Sequence, residues 1–168
     1  FGMNEKTALE VEGALIDAYY SLTNKASGYH NSDFGISNAE EIEKRFSMSE
    51  YEDQAENPKY IIIKTNKWRI DEVVGIDYSE RLYNATKWCW KVNPRNAMKH
   101  PYVLSVVDGV VKEVYIVDNW SLVEDGRGRY EFFGEVAEIE VRNKFIEQRI
   151  PSKYRKRGQA SPVLYSKA

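Results

Sequence analysis

Tyr102-Val103-Leu104-Ser105-Val106-Val107-Asp108-Gly109-Val110-Val111-Lys112-Glu113-Val114-Tyr115-Ile116-Val117 is the stretch that decides the fold. Both halves are dense in β-branched and aromatic residues, which suit a pleated, half-buried surface. Asp108-Gly109 lies between them. A two-residue type I′ hairpin loop needs positive φ at both central positions, and Asp-Gly tolerates this. The pattern predicts two antiparallel strands, 102–107 and 110–117.

Working outward, Tyr60-Ile61-Ile62-Ile63 is a short continuous apolar run and reads as a buried strand. Residues 130–133 and 163–165 read as two further short strands. Residues 71–77 read as a loop. Ser79 is the expected cap of a helix over 80–88, and Asn93-Pro94 opens a short helix to 99, with proline in its first turn. Residues 137–145 read as another helix. At the front, Asn4 caps a helix over 5–20, with Glu5 at the positive end of its dipole. Ala8, Val11, Leu15 and Ala18 recur there at helical spacing. A polar loop, 27–35, leads to a second helix over 38–46, where Asn38 and Glu41 form a capping-box-like pair. The fold class expected is α+β: N-terminal helices, then a mostly antiparallel β-rich module with short helices, open to closing into a barrel. A boundary is expected near Asn57-Pro58, dividing the chain into 1–57 and 58–168.

The chain has 168 residues, enough to bury a core without covalent staples. A single cysteine, Cys89, excludes an internal disulfide framework and a multi-cysteine zinc site. The front lacks a basic start followed by an apolar run. No stretch approaches the roughly 20 apolar residues of a membrane helix. The expected location is cytoplasmic, with no membrane partner. Phe1-Gly2-Met3, in place of a start methionine, reads as a cut end or as a tag remnant at the front.

The net charge of −2 conceals an asymmetry. Residues 40–56 hold seven acids against Lys44 and Arg45. Residues 81–99 hold five bases and no acid, and residues 149–168 hold six bases and no acid. Such sign separation is expected to direct phosphates to one face and away from another. Lys87, Trp88, Trp90, Lys91 and Arg95 mix rings with positive charge, a combination that suits nucleic acid through base stacking and phosphate contacts. The competing reading is that a tryptophan packs in the core while the lysines solubilise, and at most one of Trp88 and Trp90 is expected to be exposed. Lys153, Arg155, Lys156 and Arg157 offer a second phosphate contact or else a solvated basic tail. His30, beside Asp33, is a weak candidate for a further metal site. Cys89 between two tryptophans reads as buried and inert. Gly126-Arg127-Gly128-Arg129 reads as a turn and not a phosphate-binding loop.

Glu12 by itself is one carboxylate on a helix. Its surroundings add more. Val11-Glu12-Gly13-Ala14-Leu15-Ile16-Asp17-Ala18 with Leu22-Thr23-Asn24 resembles the metal-ligand helix of GIY-YIG nucleases. More narrowly it resembles the bacterial subfamily related to the LEM-domain, ankyrin-bearing animal endonucleases. The likeness extends through Leu82-Tyr83-Asn84-Ala85-Thr86-Lys87, Trp90-Lys91-Val92, Tyr102-Val103-Leu104, Gly109-Val110-Val111-Lys112-Glu113-Val114-Tyr115 and residues 158–162. The resemblance implies metal-dependent cleavage of a DNA phosphodiester. It implies Glu12 as ligand of a divalent metal, Mg or Mn, and Asn24 as a supporting catalytic residue. A hard cation held by one carboxylate keeps several waters and polarises a phosphate oxygen.

The family pattern also places two tyrosine-bearing strands and an arginine helix before the glutamate. Residues 1–11 hold neither tyrosine nor arginine. The expectation is therefore the C-terminal portion of such an endonuclease, inactive as the isolated chain. The rival expectation is a non-catalytic nucleic-acid-binding module, by fold-level analogy with small β-barrels of the PUA type.

Overall fold

Among the residues described by the computed structural model (47–54, 56–156 and 161–166) the elements run β1 (Tyr60–Lys64), α1 (Lys67–Glu72), α2 (Tyr78–Lys87), α3 (Pro94–Ala97), β2 (Tyr102–Val107), β3 (Val110–Leu122), β4 (Tyr130–Val136), α4 (Ile139–Arg142), a 3-10 turn (Ser152–Tyr154) and β5 (Val163–Tyr165). The helices expected over 5–20 and 38–46 lie outside the described residues, as do Glu12, Asn24 and His30.

The hairpin forms at Asp108-Gly109 with φ of 52° and 80°, the pair of positive angles a type I′ turn requires. β2 and β3 pair antiparallel from Val107↔Val110 to Tyr102↔Ile116. β3 continues past the expected end at 117 to Leu122, pairing antiparallel with β4. β1 lies on the other side of β2 and parallel to it, in register Tyr60↔Tyr102 to Lys64↔Val106. A parallel pair cannot be joined by a tight turn. α1, α2 and α3 make the crossover. β5 closes the row antiparallel to β1.

The strand order is β4-β3-β2-β1-β5, a mixed sheet in which β4 and β5 are separate edges. The barrel that the pattern left open is not formed. Closure is unnecessary here because both sheet faces are already covered. One face buries Tyr60, Ile62, Leu104, Val106, Val111 and Val114 against Tyr51, Phe145, Ile150 and Tyr154. The other buries Ile61, Ile63, Val103, Tyr115 and Phe132 against Trp90 and Ala97. Successive side chains of a strand point to opposite faces, so a strand covered on both must be apolar throughout. This is why 60–63 reads as an unbroken apolar run and 102–107 is apolar but for Ser105, whose buried hydroxyl lies 2.8 Å from that of Thr86.

Two irregularities shape β3. Its register with β2 shifts between Ser105 and Val106, and its register with β4 shifts between Val117 and Asn119. Each adds one residue to β3, Lys112 and Asp118 respectively, and a bulge of this kind bends a strand and increases its twist.

α2 starts earlier than expected. Asp77, not Ser79, is its N-cap: the Asp77 carboxylate accepts from Glu80 N at 2.9 Å, and the Glu80 carboxylate accepts from Ile76 N at 2.7 Å. Asp-x-x-Glu is the stronger signal because it satisfies donors at both positions. α1 lies in a stretch to which the sequence assigned no helix and runs into the expected 71–77 loop. α4 is only the first turn of the helix expected over 137–145.

The chain divides into Phe1–Ser47 and Met48–Ala168. The division falls before the Asn57-Pro58 boundary read from composition, because residues 49–53 are tied into the second unit. Tyr51 N donates to Arg149 O at 3.1 Å, and Arg149 N to Ser49 O at 2.8 Å. Asp53 accepts from the hydroxyls of Tyr60 (2.7 Å) and Tyr154 (2.9 Å) and is ion-paired with Lys153.

Candidate nucleic-acid interface

The C-terminal end of α2 sets the geometry. Its last carbonyls have no partners within the helix. The indole Nε1 of Trp90 donates to one of them, Thr86 O, at 2.6 Å. The Thr86 hydroxyl in turn donates to Leu82 O at 2.6 Å and lies 2.8 Å from the Ser105 hydroxyl of β2. Trp90 also exchanges two backbone hydrogen bonds with Tyr130, each 2.8 Å. The chain must turn sharply between the helix and this bridge, and Cys89 takes a left-handed φ of 76°. A non-glycine residue there is uncommon, and the surrounding bonds hold it in place.

The turn separates the two tryptophans. Trp90 is 6% exposed and belongs to the core, so it offers no ring for stacking. Trp88 is 47% exposed. Lys87 lies over the rings of Tyr83 (5.5 Å) and Phe133 (5.1 Å), with its ammonium 4.0 Å from the Glu131 carboxylate. Lys91 and Arg95 are exposed, Arg95 on α3, where the Asn93 side chain caps the helix by accepting from Asn96 N.

Two arginines that the sequence reading did not single out complete this corner. The Arg69 guanidinium of α1 lies 4.5 Å from the Trp90 ring centroid and donates to Trp88 O. Arg129 donates from Nη1 to the next carbonyl, Cys89 O, at 3.1 Å. Asp125 is the carboxylate beside Arg129. It accepts from Arg127 N at 2.9 Å and from the Cys89 thiol at 3.4 Å, and it pairs with the Arg127 side chain at 3.9 Å. These contacts, with the Arg127 N–H foremost, hold the Asp125 carboxyl below its ordinary range. Burial, reinforced by Asp125, pushes the Cys89 thiol up, so it stays protonated and is a poor nucleophile. The signal in the sequence for Arg129 was the basic Gly-Arg-Gly-Arg turn, and its partner Arg69 could be joined to it only by the fold.

The second basic stretch behaves differently. Lys153 pairs with Asp53, and Arg155 pairs with Glu50 while also donating to Ile150 O at 2.9 Å. The acids at 50 and 53, expected to stand apart from these bases, lie against them. The separation of charge read along the chain is therefore lost here. Lys156 is exposed, and Arg157 lies outside the described residues. His100 is buried, its Nδ1 3.0 Å from Asn96 O and its ring against Tyr165, which is a structural role.

Among the described residues, no three His, Cys, Asp or Glu side chains come together as a metal site. Among the same residues, no helix is long and apolar enough to cross a membrane. No family model, curated protein or solved structure matches the chain.

Proposed function

We propose that the chain is a part of a metal-dependent DNA endonuclease in which residues 48–168 grip the nucleic acid and do no chemistry. The observation that carries the binding half is the α2 corner. An exposed ring, Trp88, stands in the chain between Lys87 and Lys91, and two further arginines are fastened to the carbonyls of Trp88 and Cys89. Phosphate contacts supply most nucleic-acid affinity, and an exposed ring adds stacking.

The nuclease half rests on the resemblance around Glu12 and Asn24. On that resemblance Glu12 would hold the Mg or Mn ion, and no catalytic step is assigned to the sheet. A metal ligand acts on the reaction, whereas affinity arises from contacts elsewhere. Glu12→Gln in the complete protein is expected to abolish cleavage of DNA in magnesium while changing DNA affinity by less than about twofold. Cleavage at the wild-type rate would remove Glu12 from the site. The rival reading, a binding module with no associated chemistry, predicts no magnesium-dependent cleavage by the complete wild-type protein.

A further inference from the structure

We infer that Arg69 and Arg129 form a phosphate clamp on the Trp88-Cys89 corner, which takes the backbone of an unpaired DNA strand while Trp88 stacks on one of its bases. The inference rests on the nucleic-acid reading above and deepens it by naming the form of the ligand.

The two guanidiniums come from distant parts of the chain, α1 and the turn before β4. Consecutive carbonyls, Trp88 O and Cys89 O, hold them in place. Neither guanidinium is in an ion pair among the described residues. Like charges gathered at one place repel, and the arrangement carries a cost unless an anion offsets it. Burial first, with the nearby Arg129 charge adding to it, lowers the Arg69 pKa from its ordinary value. Asp125, the carboxylate beside Arg129, is already shared by Arg127, the Cys89 thiol and a backbone N–H.

Arginine suits this task because its planar fork matches a phosphate and is preorganised. Here the fork of Arg69 is further fixed by lying on the Trp90 ring. The backbone at the corner is also held, by the Trp90–Tyr130 bridge and the left-handed Cys89. A duplex presents its phosphates on the outside with its bases stacked inward. Only an unpaired strand can offer a phosphate to the arginines and a free base face to the neighbouring Trp88 together.

The test is fluorescence anisotropy of the full chain with a labelled ten-residue oligothymidine and with a ten-base-pair duplex at matched salt. The single strand should bind more tightly. Trp88→Ala should weaken it by roughly tenfold or more, the range of one base–aromatic stack, and leave the duplex nearly unchanged. Arg129→Gln keeps a donor for Cys89 O but removes the charge. It should weaken the single strand by roughly tenfold and flatten its log–log salt slope by about 0.7, the single-strand value for one phosphate. Arg69→Lys keeps the charge and loses the fork, and should also weaken binding. Each variant is compared at an unchanged circular dichroism spectrum. If the strand binds and is weakened by replacing Lys87 and Lys91, yet Trp88→Ala, Arg129→Gln and Arg69→Lys all bind as wild type does, the clamp is wrong and the nucleic-acid reading stands. If neither strand nor duplex binds at low salt, both fall.

Discussion

At the scale of the residue, Asp53 is the side chain on which the start of the second unit depends. It accepts from two tyrosine hydroxyls and pairs with Lys153, and Tyr51 donates to the Tyr60 hydroxyl at 3.1 Å, so four residues hang on one carboxylate. Burial opposes its ionisation, but Lys153 and the two hydroxyls outweigh burial, and its pKa is lowered. A carboxyl depressed in the folded state contributes stability that is present above its unfolded pKa of about 3.9 and is lost as pH falls through the folded value. Asp53→Asn is therefore expected to cost about 2–3 kcal/mol in urea unfolding at pH 7, the scale of hydrogen bonds to a charged group. The difference between wild type and variant should shrink as the pH is lowered below about 4. A gap that stays constant from pH 7 to pH 3 would show that the carboxylate charge is not what holds these tyrosines.

At the scale of the element, the hairpin turn and the two strand starts were legible because turn chemistry and strand composition agree at 102–117, whereas the run of β3 on to Leu122 was not. The run at 60–63 was legible as a buried strand. Its parallel pairing with β2 was not, since an apolar run does not state the direction of its partner. The caps show a similar limit. Asn93-Pro94 was read correctly as a helix start, whereas the start at Asp77 was missed: Ser79 was read as the cap and Asp77 as the end of a loop. α1 was missed because its six residues are too few to show a period.

The bulge at Val117 is another feature with no sequence signal beyond one glycine. Gly134 pairs with Val117, and a Cβ built on it would stand 2.0 Å from Ile116 O. That contact is with backbone and cannot be relieved by a rotamer change. Gly134→Ala is expected to destabilise the unit by roughly 1–3 kcal/mol or more, as overpacking does. The measurement is the urea midpoint. A midpoint equal to wild type would mean that β3 and β4 separate freely at this point.

At the scale of the whole molecule, the sequence conveyed the fold class but overstated how far charge is segregated. Counted along the chain, 81–99 and 149–168 are free of acids. In space, Glu131 comes to Lys87, Asp53 to Lys153 and Glu50 to Arg155. The basic surface that survives is centred on the α2 corner, and it owes Arg69 and Arg129 to the crossover and to the turn before β4. Of the candidate site, Lys91 and Arg95 were legible as basic residues in an acid-free stretch, and that no more than one of Trp88 and Trp90 is exposed was legible too. The burial of Trp90 was not, because a Trp-Cys-Trp triplet does not reveal which ring turns inward until the left-handed Cys89 fixes the turn. Glu12 and Asn24 remain readings from resemblance, outside the described residues.

The central claim is that the α2 corner binds nucleic acid through its lysines, and salt dependence tests it most directly. Each lysine that neutralises a phosphate of duplex DNA steepens the fall of log affinity with log salt by about 0.9. Lys91 is exposed, whereas Lys87 is already partly neutralised by Glu131. Fluorescence anisotropy of the full chain with duplex DNA, titrated over salt, should give a slope that flattens by about 1 to 2 when Lys87 and Lys91 are both replaced by glutamine. A slope unchanged by the double replacement, or no binding by wild type at low salt, would contradict the account.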